Sequence, residues 1–468
     1  MGDSGFESRI EHALADAALR RNFASAMGSF AARRRAVFPD AEALEQLREQ
    51  GAAARRRALA RLPELLEELE RALVGNGIHV HWAETAAVGN RIVLEILEAH
   101  GVRRVVKGKS MVSEEMHLNA FLARHGIDAV ETDLGEFIIQ LAGETPSHII
   151  VPAVHKNRAQ IARLFHEKIP GTPYTEEVAE LNAVARRTLR RMFREAGAGL
   201  SGVNFAVAAT GTLCLVENEG NGRMCTGVPP LHIAVMGIEK VIERLEDLPP
   251  LLRLLTGSAT GQRVTTYVNL ISGPRRAGDP DGPREVHVVL LDNGRSAVYA
   301  DPELRATLQC IRCGCCLNHC PVYTRIGGHA YGTTYPGPIG KVLTPQLAGL
   351  ERAGGLPFAS TLCGACEEVC PVKIPLTRLL RRLREETVRA GAAEGAGGGV
   401  LERLAWRGFG LSAQHPRLYR LVLACGRWLG GLLPPVAALE RWGRAHAEPR
   451  FARQSLRRLF RKRGIPDA

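Results

Sequence analysis

Two cysteine runs in the second half of this chain constrain its fold more than any other feature. The first run, at 310–321, contains the spacing C-x2-C-x2-C-x3-C-P, and the second, at 360–371, repeats it with serine in the first place. In bacterial ferredoxins with this spacing, three closely spaced cysteines bind one cluster, and the fourth, followed by proline, binds the other. The two runs therefore predict two iron–sulfur clusters, most simply of the 4Fe-4S type.

Exchange of the fourth cysteine between the runs assigns ligands to each predicted cluster. The assignment is Cys310, Cys313, Cys316 and Cys370 for cluster 1, and Cys320, Cys363 and Cys366 for cluster 2. One iron of cluster 2 is then left without a cysteine. Ser360, a water molecule or a group from a partner would complete it, or the cluster would have a three-iron form. Cys315 is a further candidate, but the spacing favours its neighbour Cys316 and predicts that Cys315 is a spare thiol.

Zinc and disulfides are the alternative explanations of a cysteine-rich segment. A zinc site uses four ligands, often as two separated C-x2-C pairs, and does not require two C-x3-C-P endings. The first residues carry charges every few positions, without the apolar stretch of a secretory signal. No run reaches the roughly 18 apolar residues of a membrane span. We therefore expect a cytoplasmic protein, whose reduced thiols bind metal in preference to forming disulfides.

The net charge of +12 is concentrated at the end of the chain. Residues 401–468 carry 14 Arg and Lys against four Asp and Glu, a surplus of ten positive charges. The nearly neutral body, with few aromatic residues, argues against nucleic-acid binding. In this basic tail, Trp406, Trp428 and Trp442 interleave with arginines, as in helices that lie on membrane surfaces. A solvated face, partner docking and peripheral membrane contact all fit, and docking is favoured because an electron relay needs close neighbours.

The pattern before the cysteines predicts a helical start followed by an α/β domain. Residues 1–75 repeat apolar residues at helical spacing. Further on, strand-like segments such as IHVHWA, RRVVKG and IDAVET alternate with amphipathic helices, which favours a parallel sheet covered by helices. We expect a helix from Ser113, its N-cap, to Gly126, and a strand over SHIIVPA at 147–153. The Gly- and Pro-rich stretch 327–357 predicts an ordered loop.

Polar side chains that follow the predicted strands form two candidate binding groups. In open α/β sheets, ligands bind beyond the carboxyl ends of the strands, and lysines beside a helix N-terminus suit a carboxylate. The same residue types also satisfy turns and helix caps, so both explanations stay open. The candidate pocket consists of Lys107, Lys109, Ser110 and Glu114 from the first group, and Glu217 and Asn218 from the second.

Several longer segments have distinctive sequences in a fixed order. They include VVKGKSMVSEEMHLN at 105–119, GVNFAVAATGTLCLVENEGN at 202–221, GGHAYGTTYPGPIG at 327–340 and STLCGACEEVCPVKIPL at 360–376. With these segments the chain resembles the lactate utilisation protein B family of bacterial iron–sulfur proteins. The resemblance implies a LUD-type α/β domain, similar to isomerase and CoA-transferase folds, and then a ferredoxin-like module. It also implies that Ser360 is the family's usual residue and that Cys315 replaces a more usual alanine.

The resemblance also implies a function. In systems of this family, three proteins act together to oxidise L-lactate to pyruvate. This chain would be the iron–sulfur subunit that relays electrons, beside the A- and C-type lactate utilisation proteins, to an acceptor that the sequence does not specify. The alternative is a self-contained LUD-domain enzyme that acts on a small carboxylic acid or phosphosugar and whose clusters are structural.

Together these observations predict five segments along the chain. They are a helical N-terminal segment (1–75), a LUD α/β domain (76–297), a ferredoxin-like 4Fe-4S domain (298–389), a Gly- and Ala-rich linker (390–400) and a basic helical C-terminal region (401–468). The predicted fold class is thus an α/β domain followed by an α-helical two-cluster module and a basic helical tail.

Overall fold

The computed structural model describes residues 4–393, 400–429 and 459–461. The chain separates into two compact units, Met1–Thr387 and Val388–Ala468. The first unit contains the sheets and both cysteine runs, and the second contains the described part of the basic tail.

Four helices precede the first strand. Asp16 caps the second of them by accepting hydrogen bonds from the backbone nitrogens of Ala18 and Leu19, and Asp40 caps the third in the same way. The helical start that the spacing predicts is confirmed. The helix bounds are α1 (Ser4–Ala15), α2 (Ala17–Val37), α3 (Ala41–Ala60) and α4 (Leu62–Gly75).

Strands and helices then alternate, as the sequence pattern predicts. In chain order they are β1 (His79–Ala83), α5 (Ala86–Ala99), β2 (Arg104–Lys107), α6 (Met111–Glu115), α7 (Leu118–Arg124), β3 (Asp128–Glu131), α8 (Leu134–Ala142), α9 (Arg158–Lys168), α10 (Val178–Glu195), β4 (Ala198–Gly202), β5 (Phe205–Val207), β6 (Thr212–Glu217), α11 (Asn221–Gly227), β7 (Leu231–Gly237), β8 (Val241–Ile242), α12 (Leu248–Ala259), β9 (Tyr267–Ile271), β10 (Glu285–Leu291) and α13 (Arg295–Ala300).

A six-stranded parallel sheet forms the centre of this part of the chain. Its strand order is β1-β10-β7-β4-β2-β3, and every neighbouring pair is parallel. Helices α5 and α7 cover one face, where Leu97 and Leu122 are buried, and α4 and α8–α10 cover the other, where Leu69 and Phe165 are buried. A parallel sheet covered on both faces explains why its strands are almost continuously apolar.

A smaller mixed sheet carries part of the polar pocket. Its order is β8-β5-β6-β9, with β5 antiparallel to β6 and parallel to β8. Glu217 is the last residue of β6, and Lys240 immediately precedes β8. The smaller sheet therefore brings Glu217 and Lys240, which are separated in sequence, towards the same region.

The predicted strand over 147–153 is wrong, because this segment is an irregular loop. Its polar groups are used locally: His148 Nδ1 accepts hydrogen bonds from the backbone nitrogens of Ile150 and Val151, and the Ser147 nitrogen donates to the Pro152 carbonyl. Local hydrogen bonds of this kind compete with those of a β-sheet. The apolar residues of the segment give no sign of this competition.

The helix predicted from Ser113 to Gly126 is two helices, α6 and α7, separated at His117. His117 has a φ of 51°, which breaks the helix. The N-cap is Ser110, whose Oγ accepts a hydrogen bond from the Ser113 nitrogen at 3.3 Å. The N-cap prediction was therefore three residues too late. The predicted end is close, since α7 ends at Arg124 and Gly126 has a φ of 72°.

The cysteine-bearing module is built from short helices. They are α14 (Cys315–Asn318), α15 (Pro321–Ile326), α16 (Gly337–Ala348), α17 (Leu350–Ala353), α18 (Ala365–Glu368) and α19 (Leu376–Ala393). The ordered loop predicted for 327–357 is wrong in part, because α16 and α17 lie within it. Pro338 stands in the first turn of α16, where a missing N–H costs nothing, so proline there begins a helix.

The N-terminal helices pack against the cysteine module and share its core. Phe23 of α2 meets Tyr323 edge to face at 5.5 Å between ring centroids. Arg48 of α3 donates through Nε to the Cys370 carbonyl at 3.0 Å. Segments 1–75 and 298–389, which are far apart in sequence, therefore share one apolar core. Their division into separate domains stays a prediction.

The second unit contains the end of α19 and then the helices α20 (Val400–Gln414) and α21 (Pro416–Leu429). Trp406 is exposed on α20. The predicted linker overlaps α19, which continues to Ala393, and 394–399 lie outside the described residues. The side chain of Trp428 and all of Trp442 also lie outside them, so the tail's predicted pattern stays a prediction. None of the described helices combines the length and apolarity of a membrane span.

We expect Gly199→Ala to lower the free energy of unfolding by about 3 kcal/mol, the upper end of the usual cost of overpacking. A Cβ at Gly199 in β4 would lie 1.7 Å from the Cys225 carbonyl oxygen of α11, where backbone meets backbone. Urea unfolding followed by circular dichroism measures the change. Gly227→Ala, at the end of α11 with no heavy atom within 4 Å, is the control and should change it by less than about 1 kcal/mol. Equal effects would contradict the close approach.

Candidate functional site

The four cysteines assigned to cluster 1 come from segments that are far apart in sequence. Cys310 follows a 3-10 turn that ends at Gln309, Cys313 lies in the next loop, Cys316 is in α14, and Cys370 follows α18. Three of these side chains are buried and Cys316 is partly buried. The fold thus gathers the first run and the end of the second run in one core.

These thiols are close enough together to perturb one another's ionisation. Burial raises the pKa of Cys313 and of Cys316 well above the ordinary thiol value, and the nearby Cys310 thiol raises both further. Burial also raises the pKa of Cys370 to about 11, with Cys310 adding to the effect. Such a group is costly to ionise without a cation among its sulfur atoms. The residues present therefore fit a bound iron–sulfur cluster, whose metal ions favour the thiolate form.

The loops that open the two cysteine runs have the same backbone conformation. The φ angle is 59° at Arg312 and 55° at Leu362, the residues two places after the first position of each run. The backbone nitrogen of Arg312 donates to Cys310 Sγ at 3.4 Å, and that of Leu362 donates to Ser360 Oγ at 3.2 Å. Ser360 therefore occupies in the second loop the place that Cys310 has in the first.

A small cavity brings together the residues assigned to cluster 2. It is lined by Cys320, Cys363 and Cys366, and also by Ser360. Cys363 is exposed, and a hydrogen bond from the Ala365 backbone nitrogen lowers its pKa. The donor set fits a cluster with three thiolates and one oxygen-bearing neighbour, at the edge of the molecule.

Cys315 is bonded to a backbone carbonyl next to the first cysteine group. It is fully buried, its Sγ lies 3.6 Å from the Val369 carbonyl oxygen, and burial raises its pKa to about 12. The Cys315 thiol lies close enough to those of Cys313 and Cys370 to interact with them, and the Cys316 thiol interacts with those of Cys310, Cys313 and Cys366. This geometry supports Cys316 as the ligand, which remains a prediction, and Cys315 as a spare thiol.

A buried lysine that sequence analysis did not identify lies beside Cys320, one of the cysteines assigned to cluster 2. Lys341 of α16 is 1 % exposed, and its Nζ donates to Cys320 Sγ at 3.7 Å. The same Nζ lies 5.4 Å from the centre of the Tyr331 ring. Burial lowers the pKa of Lys341 and the Cys320 thiol opposes this change. Its only sequence signal is its position directly after GGHAYGTTYPGPIG.

A cavity of ≈ 300 Å³, here called the sheet cavity, lies between the carboxyl ends of the strands and the first cysteine loop. It combines residues of both predicted polar groups with residues that sequence analysis missed. The predicted pocket residues that line it are Lys109, Ser110, Glu217 and Asn218. Asp133 and Glu219, which belong to the same two predicted polar groups, line it as well, and the missed residues include Lys240, Arg312 and Tyr335.

Lys107 and Glu114 do not line the sheet cavity. Lys107 is buried and its Nζ forms ion pairs with Glu131 and, at 2.7 Å, with Glu114. Burial lowers the pKa of Lys107, but the two carboxylates outweigh burial and hold it above its ordinary value. These residues form an internal ion-pair network under α6, which matches the structural explanation of the polar group.

The other predicted pocket residues also serve local structure. Glu217 accepts hydrogen bonds from the backbone nitrogens of Gly222 and Arg223 at the start of α11, and Asn218 Oδ1 accepts one from the Thr266 nitrogen. Their positions on the sheet cavity and their roles in turns therefore coexist. The two explanations that the sequence left open do not exclude each other.

Two cations at one end of the sheet cavity have unused hydrogen-bonding capacity. Arg312 donates through Nη2 to Glu239 at 3.2 Å, but its buried Nη1 has no partner. Lys240 Nζ makes no hydrogen bond to any residue that the structure describes. Burial and the nearby charge of Arg312 lower the pKa of Lys240 to about 7. Both side chains lie close enough to Cys310 for their charges to interact with its thiol.

Sequence comparison identifies the family. A model of the LUD domain family matches residues 66–291, one of 4Fe-4S dicluster domains matches 306–374, and one of the C-terminal region of lactate utilisation protein B matches 382–465. Lactate utilization protein B of Bacillus licheniformis is 42% identical over 90% of this chain and 87% of its own length. The chain belongs to the lactate utilisation protein B family.

Other relatives extend the match along the chain. Lactate utilization protein B of Bacillus subtilis is 39% identical over 94% of this chain and 90% of its own length. An uncharacterised electron transport protein of Escherichia coli, YkgF, is 40% identical over 98% of this chain and 97% of its own length. The LUD domain match spans the six-stranded sheet and the dicluster match spans both cysteine runs. The predicted fold class and the iron–sulfur cofactors are confirmed.

We expect Cys315→Ala to keep the full iron content and Cys316→Ala to lose a large part of it, because only the second removes a predicted ligand. A chain with two 4Fe-4S clusters contains about eight iron atoms. Iron and acid-labile sulfide assays on the anaerobically purified protein measure the difference. An equal loss of iron in both variants would contradict the assignment.

Proposed function

We propose that this chain is the iron–sulfur electron-transfer subunit of a multi-protein system that oxidises L-lactate to pyruvate. One observation carries the proposal: one cysteine group is buried beside the sheet cavity, and the other reaches the surface at Cys363. Relatives along the whole chain are named lactate utilization protein B or electron transport protein. A relay between a substrate site and a partner protein requires one inward and one outward group.

Each cluster takes the cysteines that the run spacing assigns to it, and Ser360 stands at the place of the missing one. Iron–sulfur clusters, when bound, supply one-electron transfer. The interaction between the Cys316 and Cys366 thiols supports adjacent clusters. The proposed ligands are Cys310, Cys313, Cys316 and Cys370 for cluster 1, and Cys320, Cys363 and Cys366 for cluster 2.

The sheet cavity is the proposed site of a small carboxylate. Lys240 and the free Nη1 of Arg312 supply two donors for its oxygens, and Ser110 lies at the start of α6 on the same wall. The unpaired Nη1 of Arg312 and the unbonded Nζ of Lys240 favour an anion, since a buried donor without a partner is costly. Lys107 and Glu114 do not line the cavity and pair with each other.

Acidic residues of the sheet cavity limit the charge of the ligand. Asp133, Glu217 and Glu219 also line it. Burial and the neighbouring Asp133 raise the pKa of Glu219 to about 7, so added negative charge is unfavourable beside it. A ligand with one carboxylate beside Lys240 and Arg312 and a hydroxyl beside the acidic residues fits, whereas a phosphosugar places too much charge there.

We further propose that the A- and C-type lactate utilisation proteins are the partners and that one of them or another acceptor approaches cluster 2 at Cys363. A cytoplasmic location is consistent with cluster thiols that must stay reduced until they bind iron. The basic tail, 401–468, is the proposed docking element, with peripheral membrane contact as its alternative. The division of the chain into the five predicted segments is likewise proposed.

The alternative of a self-contained enzyme with structural clusters is not favoured. A structural cluster gains nothing from an exposed ligand such as Cys363, whose position would leave it open to oxidation. The match to a whole family of lactate utilisation proteins also covers the dicluster segment together with the LUD domain.

We expect L-lactate to bleach the cluster absorbance of the anaerobically purified chain only when the A- and C-type proteins are present. Cys310→Ala should abolish this bleaching because it removes a predicted ligand of cluster 1, whereas the matched control Cys315→Ala should preserve it. Absorption spectroscopy under anaerobic conditions measures the response. Lactate turnover by the isolated chain, unchanged in Cys310→Ala and Cys363→Ala, would support the self-contained enzyme instead.

We expect Lys240→Met to weaken L-lactate binding about tenfold or more, because a hydrogen bond to a charged group contributes about 1.5–3 kcal/mol. Methionine keeps much of the volume and removes a buried charge, so the variant should fold. Calorimetric titration of the cluster-containing chain measures the affinity, and lactamide, the neutral analogue, should not bind. Lys168→Met, at an exposed lysine in the last turn of α9, is the control. Unchanged binding in Lys240→Met would show that this cation serves cluster 1 alone.

A further inference from the structure

Four histidines and one glutamate meet at the beginning of the edge strand β1 and its neighbour β10. The register places His79 opposite His287, and the i, i+2 alternation puts His81 and Glu285 on the same face as these two. His100, the residue after α5, approaches from the helix that covers this face. Further along the same face, Leu291 packs in an apolar core. The change from apolar residues to histidines is local to this corner of the sheet.

Glu285 lies at the centre of this group. His287 Nε2 lies 2.8 Å from Glu285 Oε1, and His100 Nε2 lies 3.0 Å from Glu285 Oε2. His79 Nε2 lies 3.8 Å from Glu285 Oε1. The ligand atoms of His79, Glu285 and His287 all lie within 4.8 Å of one another. Atoms at these separations can bind one metal ion with small side-chain adjustments, since zinc–ligand bonds are about 2.0–2.2 Å long.

His100 shows that the group needs a positive charge. Its Nδ1 lies 2.8 Å from the Ile96 carbonyl oxygen, an acceptor, and its Nε2 faces the Glu285 carboxylate, a second acceptor. A neutral imidazole has one N–H and satisfies only one of them. Either a proton or a metal ion at Nε2 resolves this conflict. A carbonyl that fixes the other ring nitrogen is the usual arrangement around a metal-bound histidine.

The neighbouring imidazole rings stack on one another at this corner of the sheet. His287 stacks on His79 at 4.8 Å and on His81 at 5.3 Å between centroids. Neutral imidazole is the form that binds metal ions. His81 Nε2 lies 3.0 Å from His287 Nδ1 and orients that ring.

We propose that His79, Glu285, His287 and His100 bind a divalent transition-metal ion, for which zinc is the best match. Three imidazoles and one carboxylate are a common zinc donor set, whereas magnesium and calcium prefer oxygen donors alone. The ion connects the edge strand β1, its neighbour β10 and the turn after α5. The site is separate from the cysteine runs and does not depend on the proposed electron-transfer function.

The test is zinc binding by the anaerobically purified, cluster-containing full chain after dialysis against a chelator. We expect one zinc ion per chain with a nitrogen and oxygen shell in zinc-edge X-ray absorption, and an unchanged iron content. His100→Ala and Glu285→Gln should weaken zinc binding at least about tenfold. His79→Ala, at a mostly exposed side chain that folding does not need, should do the same if Glu285→Gln fails to fold.

His125→Ala is a matched control, because His125 also follows a helix and its Nδ1 also bonds a carbonyl four residues earlier, that of Phe121. It should bind zinc like the unchanged chain. Absence of zinc, sulfur in its coordination shell, or equal affinity in His100→Ala and Glu285→Gln would overturn the proposal. If no zinc binds, or if both variants bind it with unchanged affinity, the positive charge at His100 is a proton. If sulfur is found in the coordination shell, the zinc is bound by cysteines.

Discussion

The junction between the parallel sheet and the first cysteine loop depends on one buried carboxylate, that of Glu239. It follows β7 at the end of the parallel sheet and accepts from Arg295 Nε at 2.6 Å and from Arg312 at 3.2 Å. Burial raises the pKa of Glu239, but the arginines outweigh burial and lower it to about 2. Loss of one partner from such a group costs about 3–5 kcal/mol. Because Arg312 lies between Cys310 and Cys313, this ion pair fixes the first cysteine loop against the sheet.

The same contact explains why the sheet cavity and cluster 1 are neighbours. Arg55 of α3 donates to the Val241 carbonyl at 2.7 Å and to the Leu308 carbonyl at 3.0 Å, so the N-terminal helices also join β8 to the approach of the cysteine loop. Tyr335 closes the wall by donating to Glu115 at 2.7 Å. These hydrogen bonds connect three parts of the chain and restrict the movement of each part relative to the others. A relay needs such rigidity, because electron transfer depends on fixed distances between neighbouring groups.

Sequence reasoning succeeded where the signal is local and failed where tertiary contacts decide. The cysteine spacing depends on the geometry of a single loop, so the cofactors could be predicted from it. The pattern of apolar residues depends on burial, so the parallel sheet could be predicted as well. Glu239 and Lys240 end the segment LHIAVMGIEK, which contains no recognised binding motif. Only the fold shows that Lys240 lines a cavity and that Glu239 forms ion pairs. The prediction for Lys107 failed for the same reason: it is two residues from Lys109 in sequence, but it pairs with Glu131 and does not line the cavity. The strand expected at 147–153 failed because His148 takes the backbone hydrogen bonds that a sheet would use.

The two cysteine loops show how one backbone motif serves two ends of a relay. Both have the same positive φ and the same hydrogen bond to the first side chain. In the first loop the residue at that φ is Arg312, which ties the loop to the sheet and faces the cavity. In the second loop the residue at that φ is Leu362, an apolar side chain that cannot form an ion pair. This loop is exposed to solvent at Cys363. Ser360 stands at the first position of this outer loop, where the first loop has Cys310. The difference between a loop tied to the sheet and a loop open to solvent supports the proposed approach of an electron acceptor at Cys363.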